Sequence, residues 1–84
     1  MSRIINYRVD YTDTFGGEAN YSWLRVAHFV APEDASNSTL IRRAKKVMNM
    51  SGWPTRTENM GDTLALRPRD GACVVMFVYP EETV

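Results

Sequence analysis

Residues 3–12 alternate, with Ile5, Tyr7, Val9 and Tyr11 on one side and Asn6, Arg8, Asp10 and Thr12 on the other. Period two with aromatic and β-branched residues predicts a half-buried strand. Residues 13–19 contain Gly16-Gly17, whose access to positive φ predicts a loop closing a hairpin. Residues 20–30 predict a second strand that is apolar on both parities. One parity holds Tyr21, Trp23, Ala27 and Phe29 with Arg25; the other holds Leu24, Val26 and Val30 with Ser22 and His28. Pro32 closes it.

The period then changes. Within 33–50, Leu40, Ile41, Ala44, Val47 and Met48 form one stripe at helical spacing. Arg42, Arg43, Lys45, Lys46 and Asn49 fill the opposite side. Asp34, Ser36 and Asn37 are candidate N-caps, and Gly52 with Pro54 stops the helix. Acidic groups lead it and basic groups crowd its end, as the helix dipole favours. Beyond it, residues 55–59 fit a short strand, 60–62 a turn, and 63–67 an alternating strand. Arg69-Asp70-Gly71 signals a hairpin. Ala72 to Tyr79 is apolar on both parities, which predicts a central strand. Residues 80–84 read as a mobile acidic tail.

This order predicts a single α+β domain over 1–84. Its antiparallel sheet has four to five strands with one amphipathic helix packed on one face (ββαββ or ββαβββ). One helix covers one sheet face. Leu24, Val26 and Val30, or else Trp23 and Phe29, are then left over, as is half of the 72–79 run. Either another chain meets this surplus, a second copy or a different protein, or strand bulges, the 50–62 segment and the tail cover it internally. Phe15, Tyr21 and Trp23 surround the Gly-Gly loop. Exposed loop aromatics anchor protein partners, whereas Trp23 reads better as folding over the open end of the core.

Composition changes little: the chain is 44% hydrophobic and 24% charged, as in ordinary globular domains. The longest apolar run, eight residues, is too short to span a bilayer, and the first residues lack a secretory h-region. The expectation is a cytoplasmic protein with no membrane association. Single Cys73 sits in an apolar run and reads as a small buried hydrophobe. The net charge is zero but uneven: −2 over 1–39, +5 over 40–69 and −3 over 70–84. The basic middle makes Arg42, Arg43, Lys45 and Lys46 candidates for an anionic partner such as nucleic acid. That reading is the weaker one, since no aromatic residue interleaves with them on the helix.

No catalytic constellation emerges. His28 lies alone in a strand, and no Cys/His cluster has metal-ligand spacing. Asp10 and Asp13 are a chance-level carboxylate pair, and Ser36 and Ser38 belong to a helix cap. The sequence predicts a non-enzymatic protein with no cofactor. Its candidate partner-binding residues are Phe15, Leu24, Val26 and Val30.

The segment from Tyr11 to Trp23, Tyr-Thr-Asp-Thr-Phe-Gly-Gly-Glu-Ala-Asn-Tyr-Ser-Trp, resembles a stretch in small accessory proteins of bacteriophages and prophages. The likeness extends weakly to Ala31-Pro32-Glu33, Gly61-Asp62 and Arg67-Pro68. It carries no catalytic motif. It implies a phage accessory protein that binds and blocks a host protein or complex, a class that includes anti-CRISPR inhibitors.

Overall fold

A computed structural model describes residues 3–15 and 18–81. The chain runs β1 (Ile4–Phe15), β2 (Glu18–Pro32), α1 (Asn37–Val47), β3 (Thr55–Met60), β4 (Thr63–Pro68) and β5 (Val74–Pro80). All strand pairs are antiparallel, and the sheet order is β2-β1-β5-β4-β3. β5 is therefore central, which accounts for its apolar residues on both parities. The connection through α1 carries the chain from one sheet edge to the other.

The buried cluster follows from the alternation of β1. Tyr7, Val9, Phe29, Ala31, Leu64, Leu66, Met76 and Val78 share it with Leu40, Ala44 and Met48 of the helix stripe. Tyr7 stacks on Phe29 at 5.2 Å between ring centroids. Ser36 caps the helix, its Oγ accepting from the Thr39 N–H. Such a cap satisfies one of the otherwise unpaired amides of the first turn. Asn49, just past the helix, has φ +59°, and Gly52 follows at +83°.

The helix lies within 33–50 with Ser36 as its cap, and Glu33 and Asp34 precede it, leaving no acidic residue in its first turn. Three expectations need correction. Residues 13–15 and 18–19 are strand rather than loop, because β1 and β2 stay paired as far as Phe15 and Glu18. Cys73 is exposed, since β5 begins at Val74 and Cys73 belongs to the preceding turn. The start of the acidic tail is anchored. Pro80 pairs with Tyr7, and the Glu81 N–H donates to the Asn6 carbonyl at 2.8 Å. The Gly16-Gly17 reversal and Glu82-Thr83-Val84 lie outside the described residues.

Candidate functional site

Residues directly opposite in a ladder share a sheet face. Asn6, Arg8, Asp10 and Thr12 therefore share the face opposite the buried cluster with Val30, His28, Val26 and Leu24 of β2, and Val75, Phe77 and Tyr79 of β5 join them. The apolar groups of this face have two fates. On the β5 side Val75 is fully buried and Phe77 and Tyr79 are half-buried. On the β2 side Leu24, Val26 and Val30 remain 44%, 43% and 50% exposed. Internal cover thus accounts for the surplus at the sheet centre and leaves it open at the β2 edge. Six of the eight large hydrophobic side chains exposed among the described residues lie on β1 or β2: Ile4, Tyr21, Trp23, Leu24, Val26 and Val30.

The backbone of that edge is equally open. Asn6 and Thr14 direct their backbone groups toward the β5 side, accepting from Glu81 and donating to Cys73. The odd residues of β1 therefore bond to β2, and by the register so do the odd residues of β2 bond to β1. Glu33 obeys this parity, donating to the Arg3 carbonyl. From Leu24 to Pro32, on this side of the register shift, the even residues of β2 point outward. Pro32, which has no N–H, occupies one such position, as strand prolines require. At Val30 the outward carbonyl accepts from Arg43 Nη1 at 2.7 Å. At the other end Asp13 holds Ser22, accepting from its N–H at 3.0 Å and its Oγ at 2.6 Å. Between these two stops, Leu24, Val26 and His28 present amides and carbonyls with no strand partner among the described residues, where β2 has β1 as its one sheet neighbour.

Asp13 also accepts from Asn20 Nδ2 at 3.1 Å. These bonds organise the irregularity where the register shifts between Thr12 and Thr14, and where Tyr21 has φ +56°. The hydrogen bonds from Ser22 and Asn20 hold the Asp13 carboxyl down at about 2. A second network lies next to the edge. Asp10, almost buried, accepts from Arg8 Nε and from the Tyr79 hydroxyl, both at 2.7 Å. Burial, then the bond to Asp10, pushes the Tyr79 phenol up to about 12. Asp10, Tyr21, Thr63, Phe77 and Tyr79 line a shallow depression of about 310 Å³. Its carboxylate is already neutralised by Arg8, so it offers little to a cation. Asp10 and Asp13 thus serve two different networks and form no acid–base pair.

The basic helix residues divide. Arg42 and Lys46 are exposed. Arg43 is tied to the Val30 carbonyl, and Lys45 donates to the Trp53 carbonyl at 2.6 Å. Burial, and then the nearby Arg69 charge, lowers the Lys45 pKa. Half of the expected anion-binding cluster is therefore engaged within the fold. Arg42 and Lys45 also line a depression of about 380 Å³ with Ser38, Ile41, Ser51 and Gly52. His28 is exposed, its Nε2 3.3 Å from Glu81 Oε2. The side chain of Phe15 lies outside the described residues.

Two features escaped the sequence reading. Asp13, as the clamp of the β2 irregularity, gives no periodic signal. Trp53 packs edge-on against Tyr11, which also contacts Trp23, at 5.8 and 5.2 Å between centroids. Trp23 thus leans on the end of the core while staying 41% exposed. Among the described residues no helix is long and apolar enough to cross a membrane, and no three His, Cys, Asp or Glu side chains gather as a metal site. No family model, curated protein or solved structure matches the chain.

Proposed function

We propose that the chain is a non-enzymatic protein-binding module that engages its partner along β2. The observation that carries this reading is the coincidence, on one strand, of exposed Leu24, Val26 and Val30 with an unpaired backbone edge. An added strand would satisfy the edge amides and carbonyls while its side chains cover the apolar ones. Covering the exposed half of each of those three side chains contributes about 1 kcal/mol apiece. The edge hydrogen bonds then set register and orientation.

The resemblance over Tyr11–Trp23 supplies the setting: a phage-encoded inhibitor or accessory factor that binds a host protein, in the manner of anti-CRISPR inhibitors. A second reading, nucleic-acid binding by the helix, draws on exposed Arg42 and Lys46. Affinity capture from host lysate separates the two. The first reading expects a specific host protein on the wild-type chain that a Leu24→Lys/Val26→Lys variant no longer retains. Capture unchanged by that variant overturns it. Nucleic acid retained by the wild type and lost with Arg42→Glu/Lys46→Glu establishes the second.

A further inference from the structure

We infer that the β2 edge pairs with the β2 edge of a second copy, in antiparallel register about a two-fold axis at Val26. The inference rests on the reading of β2 as a docking edge and names a second copy as its occupant in the absence of the host protein. The open stretch of backbone is bounded on both sides, by Arg43 on the Val30 carbonyl and by Asp13 on the Ser22 amide. What remains, Leu24, Val26 and His28, is symmetric about Val26. A two-fold axis there sets Leu24 against the partner's His28 and Val26 against the partner's Val26, all three pairs with outward N–H and C=O facing each other.

The side chains agree with this register. On the open face the axis brings together Val26 and Val26, flanked by Leu24 from each copy. On the other face Arg25 meets the small Ala27 and the exposed rim of Trp23 approaches the partner's Phe29 position. No like charges stand directly opposite one another. A register one step away, centred on Arg25, would place two arginines face to face, a destabilising arrangement. This flank of the sheet is where the exposed apolar side chains of the described residues concentrate. Two copies joined in this way form a continuous ten-stranded sheet.

The test is solution mass by light scattering over a range of protein concentration, on the wild type and on Val26→Pro and Val26→Lys. Because the Val26 N–H points away from β1, proline there removes an edge donor and no bond of the β1–β2 ladder. Circular dichroism checks that both variants fold. The wild type is expected to approach twice 9.6 kDa at high concentration, and each variant to associate at least about tenfold more weakly. A disulfide reports register: Val26→Cys in a Cys73→Ser background should cross-link to dimer on oxidation, since facing residues lie about 5.5 Å apart. Thr57→Cys on β3 in the same background should not. A dimer left intact by both Val26 variants overturns the proposal. So does a monomer at every concentration; if Leu24→Lys/Val26→Lys still abolishes host-protein capture, the protein-binding reading survives and self-pairing alone is lost.

Discussion

The sheet has two edges, and they are built differently. β3 has six residues, Thr55-Arg56-Thr57-Glu58-Asn59-Met60, and polar side chains in all but the last position. Pro54 accepts from the Arg69 amide, so the odd residues of β3 point outward; the Thr55 carbonyl among them is occupied by Arg69 Nε at 3.2 Å. Glu58 pairs with Arg67 across the strands. A short, charged edge of this kind resists pairing with another chain. β2 has 15 residues, no lysine, and a run from Trp23 to Val30 in which Arg25 is the one permanently charged side chain. A small protein that shields one edge and leaves the longer one apolar and open is arranged for strand addition on that side.

Exchanging the character of the edges gives the largest expected effect. Arg56→Val with Glu58→Val should make β3 adhesive as well as β2, and a chain with two adhesive edges assembles without closing. Light scattering should then show species well beyond a dimer; a mass unchanged from wild type would mean that side-chain character does not distinguish the edges. Next in size is Tyr79→Phe, which removes one of two partners from nearly buried Asp10 on the covered side of the same face. A loss of about 1–2 kcal/mol in denaturant unfolding is expected, with association through β2 unaltered. Ser36→Ala removes the helix cap without touching the open stretch of β2, at a cost of about 1 kcal/mol. It should leave the solution mass untouched.

The smallest effect concerns the stop at Ser22. The folded-state pKa of Asp13, about 2, lies below its ordinary value of 3.8. Its contribution is therefore complete above that ordinary value and lost as pH falls toward 2. The stability difference between wild type and Asp13→Asn should shrink over that interval. A difference that stays constant from pH 5 to about 2 would contradict the clamp.

The strands of this fold were legible because their signals are local. Alternation in β1 places Tyr7 and Val9 in the core, and the doubly apolar β5 can only be central. The helix stripe of Leu40, Ala44 and Met48 is equally direct. Leu24, Val26 and Val30 stood out because one helix cannot cover two sheet faces. The sequence could not say which surplus residues the chain covers itself. That depends on sheet order, which sets Val75 beneath cover and leaves Val26 at the rim. Arg43 and Lys45 are indistinguishable from Arg42 and Lys46 in the sequence, because the acceptors that hold them, the Val30 and Trp53 carbonyls, are backbone groups that carry no sequence signature. Cys73 was misplaced by one residue of strand boundary, enough to move it from core to turn.

Residue-resolved amide exchange, followed as a function of protein concentration, tests the central claim most directly. In dilute solution the amides of Arg25, Ala27 and Phe29, bonded to β1, should be protected, and those of Leu24, Val26 and His28 should exchange freely. As the concentration rises, these three should slow together while β3 amides stay as they were. Uniform protection along β2 at all concentrations, or edge amides that remain fast while the protein associates, would contradict the account.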